Sequence, residues 1–150
     1  MLFLLFSVIA AQAQASCEPL PNARFEMPNG AMKGVVVVAH GLNHRPDKMD
    51  DIVNPLRAQG YAVLRAVLSG HEGDMEKFKK ASREQWRNDL LGAYCAARAL
   101  ADQGKVPLHF VGYSIGALIN SDLVESEPDL GVRYDRMVYL APAVSVKAAS

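Results

Sequence analysis

Apolar residues in this chain come in blocks whose spacing alternates between strand-like and helix-like. Val35 to Ala39 is a continuous β-branched run, the pattern of a strand covered on both faces. The stretch "ARFEMPNGAMKGVVVVAHG" predicts a hairpin feeding that strand, with Pro28-Asn29-Gly30 at its turn. Asp47 to Gln59 has Met49, Ile52, Val53 and Leu56 at helical spacing and Gly60 as the stop. A strand follows over residues 61–68, then the loop "SGHEGD". Ser82 caps a long helix, Arg83 to about Gln103, with Trp86, Leu90, Ala93, Tyr94, Ala97 and Leu100 as its stripe and Gly104 as its end. Leu108 to Val111 reads as a third parallel strand, Ser114 to Glu125 as a helix, and "DRMVYLAPA", residues 135–143, as a strand running into a loop.

Strand, helix, strand, helix, strand, helix, strand means an α/β fold: an open, mostly parallel sheet with flanking helices and right-handed crossovers. Ligands of such sheets bind outside the carboxyl ends of the strands. Three loops occupy that edge: His40-Gly41-Leu42-Asn43, Ser69-Gly70-His71-Glu72-Gly73 and Gly112-Tyr113-Ser114-Ile115-Gly116.

Composition changes this picture little. The 150 residues suffice for one domain with a real core, and half of them are hydrophobic. Sixteen basic residues balance sixteen acidic ones without a long block of either sign. Nothing therefore argues for nucleic acid or an anionic membrane surface as a partner. No histidine pair has ligand spacing, so no metal is expected.

The amino terminus does add something. "MLFLLFSVIAAQAQAS" is apolar over Leu2 to Ala11, too short to span a bilayer. It suits a signal-peptide core, and Ala13-Gln14-Ala15 fits the small-residue cleavage rule, although no Lys or Arg precedes the run. Residues 1–15 thus read as a signal peptide and the protein as exported, periplasmic or secreted. The alternative is a buried amino-terminal strand or helix. Lipid anchoring through Cys17 is disfavoured, because Gln14 stands where an aliphatic residue is usual. Cys17 and Cys95 can pair in an exported protein. The preferred reading is that Cys95, in an apolar helical pattern, is simply a small buried residue.

The candidate chemistry lies in Gly112-Tyr113-Ser114-Ile115-Gly116, which matches G-x-S-x-G. By chance the bare pattern occurs in roughly 5% of chains of this length, so context must decide. Here a strand-like run precedes it and a helix-like run follows. A turn that tight puts the serine in strained geometry, and Gly112 and Gly116 remove Cβ atoms that would clash. The helix start then directs free N–H groups at the site, so the Ile115 N–H can help bind a tetrahedral oxyanion. Gly41 lets the earlier loop bend, so that the Leu42 N–H supplies a second donor. His40 is expected to fix backbone carbonyls, His71 to shape its loop, His44 to face solvent and His109 to sit in the core or on a sheet face.

These residues resemble the α/β-hydrolase fold, nearest to its serine aminopeptidase S33 and monoacylglycerol lipase-like branch. The resemblance covers about residues 32–145. It rests on "VVVVAHGLN", "YAVLRAVLSGHEGD", "WRNDLLGAYCAARAL", "GYSIGALI" and "MVYLAPA". It implies hydrolysis of an ester, thioester or amide of a small-molecule acyl substrate through an acyl-enzyme, with Ser114 as nucleophile, Leu42 and Ile115 as oxyanion donors, and no cofactor. Esterase or lipase activity is favoured, with peptidase and thioesterase open. In the family the acid and the histidine follow the serine in chain order. Here no histidine follows Ser114. Residues 16–150 are therefore expected to be the amino-terminal part of such a domain, lacking its last strands. The alternative is an inactive truncated or degenerate copy that acts at most as a binding remnant.

Overall fold

Val35, Val36, Val37 and Val38 are each 0–1% exposed, the signature of a strand with partners on both edges and cover on both faces. The computed structural model describes residues 17–20, 23–42, 44–126 and 131–143. The valines lie in β2 (Gly34–Ala39), which pairs in parallel with β3 (Tyr61–Ala66) on one side and β4 (Leu108–Tyr113) on the other. A further parallel strand, β5 (Arg136–Leu140), adds to β4, and the two-residue β1 (Phe25–Glu26) adds antiparallel to β3. The spatial order is β1-β3-β2-β4-β5.

Side-chain alternation divides the core in two. Val36 and Val38 join Val63, Val111, Met49 and Val53 beneath α1 (Asp50–Ala58). Val35, Val37, Ala39, Leu64 and Phe110 join the inward faces of α3 (Arg83–Gly104) and α4 (Ile115–Ser126). One helix on one face and two on the other leave the carboxyl edge of the strands open.

Three local expectations need correction. The segment before β2 is not a hairpin with β2. Both edges of β2 are taken by parallel neighbours, so the antiparallel partner of Phe25–Glu26 is the outer edge of β3, where Glu26 pairs with Arg65. Pro28-Asn29-Gly30 lies in the crossing connection rather than at a hairpin turn. Gly104 is the last helical residue of α3, not the stop. The left-handed position that ends the helix is Lys105, with φ 52°. The "SGHEGD" loop also runs into an unanticipated helix, α2 (Met75–Lys80), whose start is capped by the Asp74 carboxylate accepting from the N–H groups of Glu76 and Lys77. Six residues are too few to show helical periodicity. By contrast, Gly60 (φ 98°) ends α1 and Ser82 caps α3, accepting from the Gln85 N–H.

The cysteines also depart from the preferred reading. Cys17 and Cys95 form a disulfide, with Cα atoms 5.5 Å apart at a sequence separation of 78. The spatial reason is the strap formed by residues 17–20. Leu20 donates its N–H to the Gly92 carbonyl at 3.3 Å, and a Cβ on Gly92 would lie 2.9 Å from the Leu20 side chain. Gly92 therefore lets the strap lie flat on α3 and brings Cys17 over Cys95. Sequence spacing carries no trace of that contact. The leader expected over residues 1–15 lies outside the described residues. Among the described residues no helix is long and apolar enough to cross a membrane.

A bridge over so long a loop restricts the unfolded chain strongly. Reduction, or Cys17→Ser at this exposed position, is expected to lower stability by roughly 2–5 kcal/mol, a Tm fall on the order of 5–15 °C. Thermal unfolding with and without reductant measures it, and identical transitions would rule out the bridge.

Candidate active site

Ser114 stands at the junction of β4 and α4 with φ 52°, a left-handed conformation that costs a non-glycine residue about 1–2 kcal/mol. The turn is held from both sides. The Ser114 N–H donates to the Leu140 carbonyl at 3.0 Å, and the Ser114 carbonyl accepts from the Ala143 N–H at 3.2 Å and the Ala117 N–H at 3.2 Å. The end of β5 thus clasps the elbow while α4 starts from it.

The two motif glycines answer to separate close approaches. A Cβ on Gly112 would lie 2.8 Å from the backbone of Ala117, one turn into α4. A Cβ on Gly116 would lie 2.7 Å from the His40 carbonyl oxygen and 2.8 Å from that of Ala39. Gly112 therefore lets the helix fold back onto its own strand. Gly116 lets it touch the end of β2, which brings the loop beginning at His40 against the elbow.

That loop is fastened by His40, which is wholly buried. Its Nδ1 lies 2.9 Å from the Gly41 carbonyl, and its Nε2 lies 3.2 Å from the Leu68 N–H. A carbonyl can only accept and a backbone N–H can only donate, so Nδ1 carries the proton and Nε2 is bare. The neutral imidazole ties the β2 loop to the β3 loop. Burial, with a smaller contribution from the neighbouring histidines, lowers the His40 pKa from 6.5 to about 4. Both nitrogens are spent on backbone, which leaves this ring no capacity to act as a base.

On the other flank of the loop, Gly41 lies under the Tyr113 ring, which would meet an added Cβ at 2.8 Å. His44, expected in solvent, is half-buried with its ring 5.2 Å from that of Tyr113. His71 is 6% exposed and packs against His40, Phe78 and Trp86 at 4.7, 5.1 and 5.5 Å between ring centres. Its Nδ1 faces the Leu68 carbonyl at 3.1 Å. His109 sits at the opposite end of β4, half-buried beside Tyr61. Two of the aspartates after Ser114 are occupied as well: Asp122 pairs with Arg83, and Asp135 accepts the Leu108 N–H at 2.8 Å. Asp129 and Asn43 lie outside the described residues. Among the described residues no cluster of three or more metal-ligating side chains occurs.

Several site-shaping residues escape a reading of the sequence. Asp89 accepts the Ser69 N–H at 2.7 Å, and Trp86 Nε1 donates to the Ser69 carbonyl at 2.9 Å, so one face of α3 grips the β3 loop. Burial raises the Asp89 pKa against these hydrogen bonds. The i,i+3 spacing of Trp86 and Asp89 was the available signal, but it reads equally as part of an amphipathic stripe. Between the two loops and α2 lies a cavity of about 270 Å³, walled by Leu42, His44, His71, Met75 and Phe78.

The profile of the serine aminopeptidase S33 family matches residues 30–150. The chain belongs to that family. Solved structures agree on an α/β-hydrolase fold. A metagenome-derived lipolytic enzyme of the LipS and LipT pair superposes with a TM-score of 0.65 at 19% identity, over 87% of this chain and 50% of its own. Est1E from Butyrivibrio proteoclasticus, solved with ferulic acid bound, gives 0.59 at 23% identity, over 81% of this chain and 48% of its own. A thermostable carboxyl esterase from Bacillus coagulans gives 0.59 at 15% identity, over 77% and 37%. The S33-family chain thus spans about half the length of these relatives or less. No curated protein matches it in sequence.

Two outcomes are expected at this edge. Gly116→Ala puts a methyl group against two backbone carbonyls, and that overpacking should cost about 1–3 kcal/mol although alanine is the better helix former. A measured gain in stability would mean that the close approach does not exist. The second outcome is a pH dependence. The folded His40 pKa lies below the unfolded value, so the unfolded chain takes up the proton first. Stability is therefore complete above about pH 6.5 and falls by roughly 3 kcal/mol as the pH drops to about 4. Urea unfolding of the wild type and of His40→Gln across that window tests it, since the variant should lose the dependence. Parallel curves would dismiss His40 as its source.

Proposed function

We propose that this chain carries the nucleophile and oxyanion-binding half of a serine hydrolase that cleaves carboxylic or lipid esters through an acyl-enzyme. The observation that carries the reading is the left-handed Ser114 on a strand-to-helix turn packed by Gly112 and Gly116. In this reading a general base takes the hydroxyl proton, and Ser114 Oγ bonds to the ester carbonyl carbon. The carbonyl oxygen becomes an oxyanion held by the N–H groups of Leu42 and Ile115. Collapse breaks the bond to the alcohol, which leaves with the proton from the base. Water then attacks the acyl-serine by the same route in reverse.

The base is the missing partner. His40 is committed to backbone, and no histidine follows Ser114 in the 150 residues. In this reading the base and its acid are not among these 150 residues. An exported location, with residues 1–15 as a cleaved signal peptide, goes with this reading, supported by the disulfide. The family description favours a second reaction, cleavage of an amide bond by the same Ser114. A third reading is an inactive copy.

A fluorophosphonate probe applied to the full-length protein separates these. It is expected to label Ser114, and Ser114→Ala should abolish labelling and lower ester turnover on the order of 10⁴–10⁶-fold. A peptidase would turn over amide substrates in preference to matched esters. Wild-type protein that is folded yet never labelled would be an inactive copy.

A further inference from the structure

We propose that His71 is a positioning residue for the oxyanion hole: through Leu68 and His40 it fixes the peptide that carries the Leu42 N–H. This rests on the hydrolase reading above and adds a residue to its machinery. The peptide between Gly41 and Leu42 is trans, so its carbonyl and its N–H point in opposite directions. Whatever holds the carbonyl therefore aims the N–H. The Gly41 carbonyl accepts from His40 Nδ1 at 2.9 Å and from the His44 N–H at 3.0 Å. The second bond belongs to the turn of the loop itself. The first ties the peptide to the neighbouring strand end, because His40 Nε2 accepts the Leu68 N–H at 3.2 Å.

His71 completes the hold on Leu68. Its Nδ1 faces the Leu68 carbonyl at 3.1 Å, which places the proton on that nitrogen, since a carbonyl only accepts. Two histidines thus take both polar groups of one fully buried residue, His40 the N–H and His71 the carbonyl. Their rings also pack together, with centres 4.7 Å apart, so His71 backs the ring that holds the Gly41 carbonyl. Stability alone does not ask for a histidine here. The Leu68 carbonyl already accepts the His71 backbone N–H at 3.0 Å, so it is satisfied without the ring. His71 Nε2 is buried with no hydrogen-bond partner among the described residues, and a buried acceptor left unpaired costs stability. A phenyl ring would keep the packing against Phe78 and Trp86 and bury no such atom. What a phenyl ring lacks is the Nδ1 donor, and that donor acts on the residue to which His40 is anchored.

The test uses the full-length protein with p-nitrophenyl butyrate as substrate. Rates are expressed per Ser114 labelled by the fluorophosphonate at completion, so that misfolded molecules do not count. His71→Phe removes the donor and keeps the ring. His71→Asn removes the ring and keeps a donor close to the position of Nδ1. An oxyanion donor acts mostly in the transition state, and its outright removal costs roughly 10²–10³-fold in turnover. A misaimed donor should cost less. His71→Phe is expected to lower kcat about tenfold while KM stays within about twofold. His71→Asn should keep kcat within about threefold of the wild type, although its Tm falls below that of His71→Phe through lost ring packing. Activity and stability then rank the two variants in opposite order, which a purely structural role does not produce. A wild-type kcat in His71→Phe, or a larger loss in His71→Asn than in His71→Phe, overturns the positioning role, while labelling of wild-type Ser114 upholds the hydrolase reading. Absence of that labelling in the wild type overturns both.

Discussion

The contact between Gly116 and the carbonyl oxygens of Ala39 and His40 sets the geometry of the whole carboxyl edge. It exists because β2 and β4 are adjacent parallel strands of matched register, with Ala39 opposite Gly112. The helix leaving β4 must then pass directly over the end of β2. With any side chain at 116 the two would separate, and the Leu42 loop would move away from Ser114. One hydrogen atom in place of a methyl group thus couples the fold's central strand pair to the site. The helix accepts the poorer propensity of glycine at this position because backbone, which cannot rearrange, lies opposite.

The rest of the edge is built outward from that contact. His40 carries the constraint from β2 to β3 through its two ring nitrogens. Asp89 and Trp86 carry it from the β3 loop to α3 by taking up both polar groups of Ser69. The disulfide and the Leu20–Gly92 contact then tie the amino-terminal strap to α3 two turns further along. Each link satisfies a buried polar group or fills a space left by a missing Cβ. For that reason the loops hold their shape without regular secondary structure.

Much of this was legible in the sequence because it rests on local rules. The valine run announces a strand buried on both faces. Ser82 and Gly60 mark their helix ends, and the glycines around Ser114 announce a tight strand-to-helix turn. What was hidden depends on contacts between segments far apart in sequence. The partner of β1 is decided by which strand edge remains free, and nothing in "ARFEMPNG" records that β3 has one. Lys105 replaces Gly104 as the left-handed residue because the Val106 N–H returns to the Ala101 carbonyl, a closure that glycine would favour but does not monopolise. The pairing of Cys17 with Cys95 needs the flat crossing at Gly92, and the half-burial of His44 needs the Tyr113 ring. Residue types supply the candidates, and only the packing chooses among them.

Strain at Ser114 has a further consequence for β5. A left-handed serine persists only where its surroundings over-determine it. Two of its backbone partners, the Leu140 carbonyl and the Ala143 N–H, belong to β5 and the turn after it. Yet β5 is the least covered strand of the sheet, with Met137 and Val138 nearly half exposed. The conformation of the candidate nucleophile therefore leans on the most exposed strand of the sheet. Stabilising β5 tightens the elbow and loosening it relaxes Ser114 towards ordinary backbone geometry, so any element that packs on the outer face of β5 acts on Ser114 without touching it.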